Sequence, residues 1–102
     1  MPAKREYTNE TLEIMKRFYE AVDMLIAQKR IRGIQTYCTL TKIDRRHYYE
    51  QRKEVSRGYF QMSWMLPLIK EFGVSSDWLL LNRGGMFTVK AEQKQRESIL
   101  IN

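Results

Sequence analysis

The side chains with the most chemical capacity lie close together in the middle of the chain, in IQTYCTLTKIDRRHYYEQRK, residues 34–53. Cys38 is the only cysteine and His47 the only histidine. A structural zinc ion takes four ligands, nearly all Cys or His, so no metal site is expected. A Cys–His nucleophile pair is not expected either, because small Cys38 reads as a packing residue that lets the next helix cross closely. No glycine-rich phosphate loop occurs. An enzyme needs a pocket with convergent perturbed groups, and a core this small leaves little room for one. Neither catalysis nor a cofactor is therefore expected. What remains is positive charge and hydrogen-bond donation. Arg45 and Arg46 carry forked donors that suit guanine edges or phosphates, with His47 and Tyr49 beside them.

The charge distribution points the same way. The 102-residue chain carries a net charge of +6. Between Lys29 and Arg57 lie nine basic residues and three acidic ones, so this segment alone carries +6 and the rest of the chain balances. A basic excess gathered on one stretch is the footprint expected of a nucleic-acid-binding surface. A lone thiol forms no internal disulfide, which favours a reducing compartment. No apolar run is long enough to span a membrane. The start, MPAKREYTNE, has no apolar segment after its basic residues and is not expected to be a secretory leader.

These residues need a scaffold, and the length fits one domain. Residues 1–7 are expected to form an arm carrying Lys4 and Arg5, residues 8–87 the domain, and residues 88–102 a tail. The tail is read as helical or as an element of dimerisation through Ile99, Leu100 and Ile101. A first helix is expected from Thr8 or Asn9 to about Lys29 or Arg30, capped by a side-chain oxygen. Its core stripe is Leu12, Met15, Phe18, Tyr19, Val22, Leu25 and Ile26, and Gly33 is expected to mark its break. A second helix spans 34–41, with Ile34, Tyr37, Cys38 and Leu40 packed. The turn Thr41-Lys42-Ile43 follows, and Ile43 plugs the core. A third helix opens at Asp44, with Arg45, Arg46 and His47 in its first turn. Two arginines there oppose the helix dipole, a local conflict of the kind found at functional surfaces. Tyr48 is expected inside and Tyr49 outside. Tyr59 and Phe60 are expected to tuck against the core after a turn at Ser56 and Gly58. A fourth helix is expected over 61–72 with the stripe Met62, Met65, Leu66, Ile69 and Phe72. Pro67 is awkward in its interior and argues for a later start or a kink. Gly73 is expected to close it in a left-handed cap. Ser75 or Ser76 then caps a last short helix, and Val74 and Trp78 close the core. Met86, Phe87 and Val89 are expected to form an extended piece or fold back.

The order of elements, and above all FGVSSDWLLLNRGGMF at 72–87, resembles the lambda-repressor-like helix-turn-helix family, also called XRE or Cro/repressor. The resemblance covers roughly 18–87. Its Gly-Val-Ser, Asp-Trp-Leu-Leu and Gly-Gly-Met-Phe resemble the Gly-Val-Ser, Asp-Trp-Leu-Leu and Gly-x-Gly-x-Met-Phe order that recurs at the end of phage-repressor-type domains. Cys38 stands at the family's small alanine, Ile43 at its aliphatic turn position and Tyr48 at an isoleucine or valine position. Lys42 replaces the usual turn glycine, Thr41 and Gln51 stand where aliphatic residues are more common, and Ile34, with Gln35 beside it, replaces a glutamine. The resemblance implies a compact all-α domain of four to five helices around a central helix-turn-helix, without a repressor's C-terminal protease or oligomerisation domain after Phe87.

It further implies a transcriptional regulator that binds double-stranded DNA sequence-specifically, in the cytoplasm at a bacterial or phage-occupied nucleoid. The third helix would lie in the major groove. Arg45, Arg46, His47 and Tyr49 would face base edges, and Gln35, Thr36, Arg52, Lys53 and Arg57 would contact phosphates. A homodimer on DNA is expected, because one small domain offers few phosphate contacts. The alternative is a protein-interaction module on the same helical fold, without specific DNA binding. An RNA-binding use lies close to the first reading.

Overall fold

The computed structural model describes residues 7–88. Five α-helices and one 3₁₀ turn follow in order: α1 (Asn9–Ala27), α2 (Ile34–Thr41), α3 (Arg45–Lys53), the 3₁₀ turn (Met62–Trp64), α4 (Leu66–Lys70) and α5 (Ser76–Leu81). Among the described residues the only β pairing is an isolated antiparallel bridge between Val74 and Phe87. The domain is all-α. None of the described helices is long and apolar enough to cross a membrane.

Thr8 caps α1 by accepting the N–H of Thr11 at 3.2 Å. Met15, Phe18, Tyr19, Ala21, Val22 and Leu25 form its buried stripe, and Leu12 and Ile26 lie half-buried at its margins. The helix ends at Ala27, earlier than the basic residues suggest, and Gly33 is the last residue of the break, directly before α2. Lys29 is the left-handed residue (φ 60°), and Arg30 N–H returns to the Leu25 carbonyl at 2.9 Å. This hook drops Ile31 into the core and sets the Arg30 guanidinium between the rings of Phe72 and Phe87, at 5.6 and 5.4 Å. Arg30 also donates to the Phe72 carbonyl at 3.0 Å. Gly33 instead precedes α2 in extended conformation.

The core is aromatic. Phe18 contacts Tyr19, Tyr37, Tyr48, Phe60 and Trp64, with ring centroids 5.0, 6.0, 5.9, 5.5 and 6.1 Å away. Most of these pairs meet edge to face, the arrangement favoured by ring quadrupoles. Two phenols are tied to main chain: Tyr19 donates to the Tyr48 carbonyl at 3.2 Å, and Tyr37 to the Trp64 carbonyl. The first fastens α1 to α3, the second α2 to the 3₁₀ turn.

The region expected to be one long fourth helix is split. Met62–Trp64 forms the 3₁₀ turn, and α4 is only five residues long with Pro67 in its first turn. Proline is compatible there because its missing N–H would have no helical partner. The tighter 3₁₀ turn also shifts the phase of the apolar stripe. Trp64, Met65 and Leu68 are buried, while Met62 and Leu66 are exposed. Leu40 is likewise exposed rather than packed. Gly73 takes the expected left-handed conformation (φ 72°). Ser75 caps α5 through the N–H of Trp78, and Val74 is buried with Trp78 packed beside it. Residues 86–88 fold back, with Ser75 N–H on the Met86 carbonyl (2.8 Å) and Thr88 N–H on Gly73 (3.0 Å). Arg17 of α1 donates to the Leu79 and Leu80 carbonyls near the C-terminal end of α5. Lys4, Arg5, Val89 and the tail with Ile99, Leu100 and Ile101 lie outside the described residues.

Candidate nucleic-acid interface

The turn between α2 and α3 is held by its backbone. Ile43 N–H bonds the Cys38 carbonyl at 2.9 Å, and Lys42 adopts the left-handed conformation (φ 60°). For a residue with a Cβ this costs about 1 kcal/mol, offset by the burial of Ile43, which is 8% exposed. Asp44 then caps α3. Its Oδ1 accepts the N–H groups of Arg46 (2.8 Å) and His47 (3.3 Å). The His47 N–H bond first, and then that of Arg46, hold the Asp44 carboxyl below its ordinary pKa. The carboxylate is thereby occupied at the helix start, next to two exposed arginines.

The helical period sorts the α3 side chains. Tyr48 and Gln51 are fully buried. Arg45, Arg46, Tyr49 and Lys53 are exposed, and His47 and Glu50 lie between. Arg45, Tyr49 and Lys53 follow at four-residue steps and share one side of the helix. Gln35, in the first turn of α2, accepts a bond from Arg45 Nη1 at 3.0 Å, so an amide on one helix aims a guanidinium on the other. Thr36 is exposed beside Gln35. Arg46 and His47 line an open cleft of about 650 Å³ with Lys42, Tyr59, Gln61 and Ser63. The imidazole of His47 lies flat on the Tyr59 ring, with centroids 4.0 Å apart and planes 10° from parallel.

Two of the nine residues are paired with carboxylates of the domain itself, Arg52 at an exposed position and Arg57 at a half-buried one. Arg52 follows buried Tyr48 by one turn and therefore faces the α1 flank. It makes a bidentate pair with Asp23 there, Nη1 at 2.9 Å from Oδ1, and its guanidinium lies 5.2 Å from the Tyr19 ring centroid. The bond to Asp23 pushes the Arg52 pKa up. Arg57 pairs with Glu54 at 3.2 Å through Nε, and its carbonyl accepts from the Tyr7 hydroxyl. Neither cation is placed alongside Arg45, Arg46 and Lys53 as a free donor.

Gln51 ties α3 to the loop that follows it, a role that the sequence does not announce directly. Gln51 is a polar residue with no exposed surface. Its Oε1 accepts the N–H groups of Tyr59 (2.9 Å) and Phe60 (3.1 Å), and its Nε2 donates to the Val55 carbonyl (2.9 Å). A glutamine three residues past an inward tyrosine was the available signal, since a buried amide must find partners.

Cys38 is buried, and burial pushes its thiol pKa up, away from nucleophilic thiolate. Among the described residues no three His, Cys, Asp or Glu side chains gather as a metal site. No protein-family profile, characterised protein or solved structure matches the chain.

Proposed function

We propose that this chain is a sequence-specific double-stranded DNA-binding domain of the repressor type. The single observation that carries the reading is the exposed side of α3. Two guanidinium groups stand on its first turn, Tyr49 and Lys53 continue the side of Arg45, Arg46 faces the adjoining cleft, and the preceding helix braces Arg45 through Gln35. The adjacent carboxylate, Asp44, accepts two backbone N–H groups. Such a helix fits the major groove, where arginine addresses guanine edges bidentately. Arg45, Arg46, His47 and Tyr49 approach bases. Gln35, Thr36 and Lys53 meet the flanking phosphates, and Lys42, which projects into the same cleft as Arg46, joins them. Arg52 and Arg57 act within the domain. The repressor-like order of motifs at 72–87 supports the same class. Binding as a homodimer on a two-fold site would double the phosphate contacts.

Selection of bound sequences from a random duplex pool tests this reading. Enrichment of a palindromic site supports it, and recovery of the pool unchanged refutes it. A protein-interaction module is the competing reading, favoured by the exposure of Met62, Leu66 and Leu81. It predicts that loss of both arginines leaves partner binding intact.

A further inference from the structure

His47 and Gln51 lie one helical turn apart on α3, and both reach the loop that returns from the end of that helix. Gln51 closes the loop from both sides, holding the Val55 carbonyl and the N–H groups of Tyr59 and Phe60. The Phe60 ring is fixed in turn against Phe18 and Trp64, each 5.5 Å away between centroids. Tyr59 is therefore anchored through its own backbone and through its neighbour's side chain. Its ring covers the His47 imidazole at 4.0 Å with the planes 10° apart. Both ring nitrogens of a histidine lie in the ring plane. Whatever fixes that plane fixes the directions in which the nitrogens donate and accept. An unsupported imidazole at a helix surface samples several rotamers and must give up that freedom on forming a directed hydrogen bond. A stacked one has largely given it up beforehand.

We propose that Tyr59, held by Gln51, is a positioning residue for sequence reading: its ring orients His47 toward one base step at the floor of the cleft shared with Arg46. The inference rests on the DNA-binding reading above and adds a specificity determinant outside the helix-turn-helix. Tyr59 acts through His47, so the two residues govern preference at the same base positions. Arg45 and Arg46 govern others.

The test compares the full chain with Tyr59→Leu, Tyr59→Phe and His47→Ala in selections from one random duplex pool, with thermal unfolding as a check on each variant. The expected result is that Tyr59→Leu and His47→Ala lose about five- to ten-fold preference at the same positions. Tyr59→Phe, which keeps the ring, is expected to retain the wild-type profile, and the salt dependence of all four proteins should agree. The free chain supplies a second readout. The His47 ring protons should resonate upfield under the Tyr59 ring current in wild type and Tyr59→Phe, and move downfield in Tyr59→Leu. A wild-type profile for Tyr59→Leu, a profile altered at positions that His47→Ala leaves alone, or the absence of the upfield shift in wild type overturns this inference alone. A wild-type chain that enriches no sequence while showing the upfield shift overturns the DNA reading and the inference with it.

Discussion

Gln51→Ala removes three hydrogen bonds in one step, to the Val55 carbonyl and to the N–H groups of Tyr59 and Phe60. An intramolecular hydrogen bond contributes roughly 0.5–1.5 kcal/mol net, and a buried group left without a partner costs more than that. The three together amount to about 2–4 kcal/mol, a large part of the roughly 5–15 kcal/mol that stabilises a small domain. For a domain of this size the melting temperature should fall on the order of 10–30 °C. Gln51→Leu is the informative control, because leucine refills the volume. It supplies no acceptor for the Tyr59 and Phe60 N–H groups, so it should remain about 1–3 kcal/mol less stable than wild type. Urea denaturation followed by far-ultraviolet circular dichroism measures both variants, with the slope against denaturant unchanged. A Gln51→Leu protein as stable as wild type would refute the reasoning, since packing alone would then account for the site.

Three further outcomes follow from the same geometry. Among the described residues the buried Tyr48 hydroxyl has no hydrogen-bond partner, so Tyr48→Phe should raise stability by about 1 kcal/mol in the same titration; a clear loss would point to a partner for that hydroxyl. Burial above all raises the pKa of the Tyr19, Tyr37 and Tyr48 phenols above the ordinary 10.0. Because the folded-state values lie above the unfolded ones, their contribution to stability is complete below the unfolded pKa and is lost as pH rises beyond it. Phenolate absorbance of these three tyrosines should therefore appear together with loss of helix in an alkaline titration, and ionisation well before unfolding would contradict their burial. Arg52 and Asp23 have side chains 41% and 46% exposed, so Arg52→Ala should cost less than about 1 kcal/mol. It should also leave the salt slope of duplex binding nearly unchanged, whereas Lys53→Ala should lower that slope by about 1.

The helix-turn-helix was legible because its determinants are local. Asp44 announces a cap, the inward and outward tyrosines follow from helical phase, and Ile43 is an apolar residue between two polar ones. The structure agrees at each of these positions. In the fourth helix Pro67 correctly signals a later start, since α4 begins at Leu66 with Pro67 in its first turn, but the apolar residues before it fit an α-helical period and give no sign of the 3₁₀ turn. The end of α1 was misplaced because Lys29, not a glycine, takes the left-handed conformation, stabilised by contacts of Arg30 and Ile31 formed in three dimensions. The candidate site divides along the same line. The exposure of Arg45, Arg46, Tyr49 and Lys53 is a property of one helix. The engagement of Arg52 depends on Asp23, 29 residues earlier in the chain, and no local pattern shows it. The His47–Tyr59 stack likewise depends on a loop whose path is fixed by Gln51.

Two exposed guanidinium groups at the start of α3 carry the proposed DNA binding. Fluorescence anisotropy of a labelled duplex carrying the selected site, and of a scrambled duplex of equal length, measures what they do in wild type and in Arg45→Ala/Arg46→Ala. If these arginines read bases, the double variant loses most of the discrimination between the two duplexes, about 1–3 kcal/mol for each bidentate contact removed. If the double variant binds the selected site as tightly and as selectively as wild type, α3 does not lie in the major groove and the proposed mode of DNA binding is wrong.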